Sequence, residues 1–230
     1  FLMGKTEVTN AEYCAALNWA LEQGHLEKAN SETVMMHGEE LLDLDASCEI
    51  AFNINAFLVK LVSKGVYKLQ SADQHPVKDV SWYGAACYCD WLSMQEGLTP
   101  YYDGNWNPSV SHNPYEHVGY RLPTEAEWEY TARYSDGRRY PWGDETPNSN
   151  YLNWGDNVEW TSPVGIYPKG ASQLGCVDMA GNLWEWCNDW GDKYSSPAVE
   201  DPIGPQSASY RVIRGGSWDS YASSLQVADR

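Results

Sequence analysis

The 230-residue sequence predicts a single domain of mixed α and β structure whose second half is built from loops and short strands. Three observations carry that expectation. Two capping boxes, Thr9-Asn-Ala-Glu12 and Thr124-Glu-Ala-Glu127, announce helices, because a Thr hydroxyl and a Glu carboxylate three residues on reciprocally satisfy donors that a helix start leaves orphaned. Ser81 offers a further cap, ahead of Trp82, Ala86, Cys89 and Leu92 at helical spacing, and Gly97 ends that helix near Gln95. From Arg139 to Arg230, Gly, Pro, Asn and Asp recur every few residues between short aromatic runs, a pattern of turns with little helix.

Taken in order, Phe1 to Val8 reads as a short strand that ends at the Thr9 cap. The first helix then places Tyr13, Leu17 and Leu21 at helical spacing. Residues 23–74 are less patterned and are read as an insertion, with Leu41 to Glu49 and Ala51 to Leu69 alternating enough to suggest a hairpin or small sheet. The helix after Thr124 puts Trp128 and Ala132 on one face and should stop near Ser135 to Gly137. Glu125, Glu127 and Glu129 alternate along it, so they diverge, and a solvated or capping role is expected of them. No linker and no internal repeat interrupts the chain.

Composition narrows the partners. With 12 Trp and 16 Tyr against 3 Phe, the rings favour half-buried positions that keep a polar edge in reach of water. A formal charge of -17 excludes a nucleic-acid partner, which needs cations to neutralise phosphates, and disfavours an anionic membrane surface. The six cysteines show no paired CxxC spacing, and burial of small apolar thiols with at most one disulfide is the simplest reading. No apolar run reaches the ~18 residues of a spanning helix. A first residue other than Met suggests that upstream sequence was removed, which could have carried a signal or a lipid anchor, so membrane association is expected only through such an anchor.

Six ordered blocks then stand out: Met3-Gly-Lys-Thr-Glu-Val-Thr-Asn10; His75-Pro-Val with Val80-Ser-Trp-Tyr83; Gly119-Tyr-Arg-Leu-Pro-Thr-Glu-Ala-Glu-Trp-Glu-Tyr130; Tyr140-Pro-Trp-Gly-Asp144; Asp178-Met-Ala-Gly-Asn-Leu-Trp-Glu-Trp186; and Arg211-Val-Ile-Arg-Gly-Gly-Ser-Trp218. Together they resemble the sulfatase-modifying factor family. The resemblance implies an α+β, C-type lectin-like fold of the formylglycine-generating-enzyme subtype, with two main helices on a small twisted sheet and long loop-rich regions. Enzymes of that family bind copper through two cysteines after the Arg-Gly-Gly-Ser motif. The matching positions here are Ser220 and Leu225, neither of which supplies a soft thiolate. The iron-dependent sulfoxide synthases that share the fold place a His-rich ligand set largely on another domain, and here His25, His37, His75, His112 and His117 show no HxxxH-like spacing. The expectation is therefore a protein without catalytic activity. Its alternatives are a degenerate homologue with an accessory role, or a copper-dependent oxidase using other thiols such as Cys176 and Cys187.

The stretch 211–230 carries the binding expectation. After Trp218 it mixes small polar residues with one Tyr, a division of labour in which a rigid ring gives contact area and short polar groups adapt. Asp, Ser, Tyr and Leu are all reachable from an asparagine codon by changing adenines, and here they are interspersed with Ala222, Val227 and Ala228. That mosaic resembles the variable proteins of diversity-generating retroelements, treponemal ones among them. The resemblance implies ligand contact by Trp218, Asp219, Ser220, Tyr221, Ser223, Ser224, Leu225 and Asp229. It further implies a protein or glycan ligand and display at a bacterial surface or export. The sulfatase-modifying factor family also commonly binds structural calcium. Asp178, Gly181, Leu183 and Glu185 match such a site, in which carboxylates and backbone carbonyls supply hard oxygen ligands. No other cofactor is expected.

Overall fold

The computed structural model describes residues 1–102, 113–194 and 199–230; His112 lies outside them. The chain divides into two compact units, one of residues 8–64 and 68–122, the other of residues 1–7, 65–67 and 123–230.

The first unit is organised by α1 (Asn10–Glu22) and α2 (Trp82–Gln95). Both begin where their caps require: Thr9 and Glu12 close a complete capping box, and the Ser81 hydroxyl accepts from Gly84 N. Around them run three small antiparallel strands, β1 (Lys28–Ala29), β2 (Thr33–Met36) and β3 (Glu39–Asp43), and the hairpin β4 (Ile50–Asn53) with β5 (Ala56–Val59). The region 23–74, expected to be an insertion, supplies Val34, Leu41, Leu42, Leu44, Cys48, Ile50 and Phe57 to the same apolar cluster as Tyr13, Leu17 and Trp91. Burying an aliphatic or Phe side chain stabilises by roughly 1.5–3 kcal/mol, so this region is integral to the core. Asn18 fastens β5 to α1, its amide donating to Phe57 O at 3.0 Å while its carbonyl accepts Phe57 N at 2.7 Å.

The strand expected over Phe1 to Val8 is not formed. Residues 1–8 belong to no strand, and Lys5 O instead accepts Val177 N at 2.8 Å within the second unit. Local alternation gave no information about that tertiary partner.

In the second unit α3 (Glu125–Arg133) packs on the antiparallel pair β6 (Glu185–Trp190) and β7 (Arg211–Arg214), whose register is broken between Trp186 and Trp190. Trp128 and Ala132 do share a buried face, with Met179, Cys187, Val212 and Val227. The rest is turn-rich, and several of its backbone groups are met by buried polar side chains, Asn153, Asn182 and Arg214 among them.

The glutamates of α3 require a correction. Glu127 caps the helix as expected, but Glu125 and Glu129 are four residues apart, so they share a face and converge on Arg214. That guanidinium is fully buried, 2.7 Å from Glu129 and 3.5 Å from Glu125, with the Trp128 ring 5.2 Å away. Among the described residues all six cysteines are free thiols, and no helix is long and apolar enough to cross a membrane.

Candidate functional site

The last segment begins with two left-handed residues, Gly215 (φ 97°) and Gly216 (φ 79°). A Cβ on Gly216 would meet Ser224 O at 2.8 Å, so the turn requires glycine twice over, for its backbone and for its space. The chain beyond is held mainly by main-chain bonds. Trp218 N donates to Asn182 O at 2.8 Å, Trp218 O accepts Asp156 N at 3.0 Å, Ser220 O accepts Gly155 N at 3.3 Å, and Val227 N donates to Arg139 O at 2.9 Å. Ser217 adds a side-chain knot: its hydroxyl lies 2.6 Å from Asp219 Oδ1 and 2.9 Å from Ser220 Oγ. Sequence reasoning missed Ser217 and the anchors Gly155 and Asp156; only a tertiary contact reveals them.

Of the expected contact residues, Asp219, Tyr221 and Ser223 are exposed, Tyr221 by 83%. Trp218, Ser220 and Ser224 are half-buried, and Trp218 leans on Trp160 with ring centroids 5.4 Å apart. These six residues lie within one segment, a loop that runs into the short 3₁₀ turn Ala222–Leu225. Leu225 does not belong to it. Its side chain is 1% exposed and packs with Tyr140, Leu152 and Ala180, because the short 3₁₀ turn Ala222–Leu225 rotates it inward. Asp229 is drawn elsewhere too: its carbonyl accepts from Arg214, which joins it to the charged network of α3.

The calcium residues occupy a buried acidic turn. Asp178 adopts a left-handed backbone (φ 65°), and its carboxylate accepts Gly165 N at 2.6 Å; burial pushes its pKa up to about 6. Glu185 accepts Trp128 Nε1 at 2.7 Å and is pushed up to about 7, by burial first and by the charge of Asp178 as well. Glu7, which sequence reasoning passed over, completes the group. It accepts Leu183 N at 3.0 Å and Asn182 Nδ2 at 2.9 Å, and burial followed by repulsion from Asp178 and Glu185 raises it well above the carboxylate range. Gly181 (φ 80°) lets the chain pass where a Cβ would lie 2.2 Å from Asn153 O. The donors suit a hard cation in kind. Among the described residues, however, no three acidic, His or Cys side chains close into a metal cage.

Copper is a poorer match. Ser220 spends its hydroxyl on Ser217 and Leu225 lies in the core, so neither matching position holds a thiolate. Cys176 and Cys187, the other thiols considered, are buried, and burial pushes both up, Cys187 well above its ordinary value. Protonated thiols are poor soft-metal ligands.

The family model for the sulfatase-modifying factor enzyme 1-like domain matches residues 1–230. The serine/threonine-protein kinase Pkn1 of Chlamydia trachomatis is 40% identical over 162 residues, which cover 68% of this chain and 21% of the kinase. The formylglycine-generating enzyme of Streptomyces coelicolor is 38% identical over 180 residues, covering 68% of this chain and 47% of that enzyme. The chain thus spans about a fifth to about a half of the length of these curated relatives. Among solved structures, Treponema denticola variable protein 1 superposes with a TM-score of 0.58 at 31% identity, covering 69% of this chain and 66% of that one. These names correct the expectation of a protein without catalytic activity: relatives at 38–40% identity are named as enzymes, so missing thiols at two positions do not remove the chain from an enzyme family. With its mixed α/β, C-type lectin-like architecture and a family match along its whole length, the chain belongs to the sulfatase-modifying factor enzyme 1-like domain family.

Proposed function

We propose that the stretch from Trp218 to Ser224 is a ligand-recognition face, diversified by a retroelement and presented to protein or glycan partners at a bacterial surface or after export. One observation carries this reading: the stretch is held mainly by backbone N–H and C=O groups, which every residue but proline supplies, with Ser217 adding contacts to Asp219 and Ser220, while Asp219, Tyr221 and Ser223 are exposed. Such a face can change its side chains and keep its shape. The 31% identity to Treponema denticola variable protein 1 supports the same reading. The test is genetic: a near-identical template repeat, with adenines at the codons for residues 219–221, 223 and 224 and a reverse transcriptase beside it, is the expected finding. A locus with neither would sink the diversification.

Kinship with the formylglycine-generating enzyme favours a second reading, catalysis on the same scaffold by groups other than residues 220 and 225. Aldehyde formation on a sulfatase-derived cysteine peptide would establish it.

Calcium at Asp178 and Glu185, with the carbonyls of Gly181 and Leu183, is a further part of the proposal. Three mutually repelling buried carboxylates support it. Added calcium should raise the Tm, EGTA should reverse the rise, and Asp178→Ala should abolish it; an unchanged Tm would speak against the site.

A further inference from the structure

Beside α3 lies a cleft of about 720 Å³ that none of the readings above uses. Tyr130, Tyr134 and Tyr194 form its aromatic walls, with Tyr130 and Tyr194 exposed by 45% and 66%, and Glu125 and Asp189 lie at its base. Five carboxylates line it against three cationic side chains, with the buried Arg214 behind them pairing Glu125 and Glu129, which leaves a small negative excess. Its size suits a side chain or small ligand, and its balance of charge suits a cation.

The structure also shows how a cation is held there. The guanidinium of Arg230 lies over the Tyr194 ring, 4.5 Å from its centroid. Its Nε is 3.0 Å from Glu125 Oε1 and its Nη1 donates to Asp192 O at 2.6 Å. Glu125 is itself oriented, for its carboxylate accepts the Tyr194 hydroxyl at 2.8 Å and its backbone N–H donates to Asp189 Oδ2 at 2.9 Å. Aromatic face, carboxylate and carbonyl therefore address the planar, multi-donor shape of guanidinium, for which an ammonium is a weaker match. Arg230 is not sealed in: its side chain remains 22% exposed, and open volume surrounds it.

We propose that this cleft is a receptor for an arginine side chain of a peptide, and that Arg230 is a resident competitor which such an arginine displaces. Binding to the intact chain is then weakened by the fraction of time that Arg230 occupies the seat, and removing Arg230 strengthens it.

The experiment titrates the full chain with N-acetyl-arginine amide by calorimetry and NMR, using the isosteric, uncharged N-acetyl-citrulline amide as control. Arg230→Ala should bind the arginine probe roughly tenfold more tightly than the parent does, and Glu125→Gln in that background should lose the gain. The citrulline probe should bind neither. Equal affinity in parent and Arg230→Ala, or equal binding of the two probes, would overturn the proposal. If Arg230→Ala fails to fold, the parent with Tyr194→Ala decides: loss of arginine-induced shifts upholds the cleft, and unchanged shifts reject it.

Discussion

The two units of this chain bury their interiors by different means. Residues 8–64 and 68–122 close around helices and hairpins with an apolar cluster that includes Tyr13, Leu17, Leu42 and Trp91. The described residues of 123–230 hold one α-helix and one strand pair, and they bury Asn153, Ser162, Asn182, Asp189 and Arg214. Asn182 illustrates why: its carbonyl oxygen accepts Ser162 N at 2.9 Å, its amide donates to Glu7, and its backbone oxygen accepts Trp218 N. Where a chain forgoes regular ladders, side-chain amides and guanidinium groups must satisfy the backbone in their place. One unit thus depends mainly on apolar shape and the other on buried polar pairing.

The sharpest test of that contrast replaces Arg214 by Met, which leaves Glu125 and Glu129 facing an apolar group. A stability loss of about 3–5 kcal/mol is expected in urea titration, equal to that of Trp91→Ala in the helical unit. A loss below about 1 kcal/mol would mean that paired charge does not hold the second unit together. Next in size, Leu225→Ala should cost about 2–4 kcal/mol, which would mark this position as interior in spite of its place in a candidate binding segment.

A pH series separates the units more finely. Burial raises the carboxyl of Asp189 to about 6, so the folded chain holds that proton more tightly than the unfolded chain does. Its protonated form therefore favours the fold, and this contribution is lost as pH rises from about 4 through 6, by roughly 2–3 kcal/mol. Asp189→Asn keeps an acceptor for Glu125 N and should flatten the decline over that interval. Parallel curves for the two proteins would remove Asp189 from the account. The smallest effect is expected on the loop face: Asp219→Ala, Tyr221→Ala and Ser223→Ala should each shift stability by no more than about 0.5 kcal/mol. A larger loss at any of them would show that the scaffold depends on its displayed side chains.

The same contrast explains what the sequence disclosed. Helix starts rest on residues three apart, and Thr9 with Glu12, Ser81, and Thr124 with Glu127 all open helices where their spacing places them. The loop-rich half was legible as loops, and the partly exposed run from Asp219 to Ser223 as small polar groups around a Tyr. Partners distant in sequence were not legible. Nothing local signals that Glu7 meets Asn182, that Glu125 and Glu129 enclose Arg214, or that Leu225 turns inward between half-exposed neighbours. The strand foreseen over Phe1 to Val8 is likewise absent, and Lys5 O meets the distant Val177 N instead.

The main-chain fastening of Trp218, Ser220 and Val227 distinguishes two kinds of heritable change. Swapping one letter for another, proline apart, leaves those links available, whereas inserting or deleting a single residue would move each carbonyl away from the amide that waits for it. Evolution at this loop is therefore free in spelling but bound in length, and families of sibling sequences should align across it without gaps.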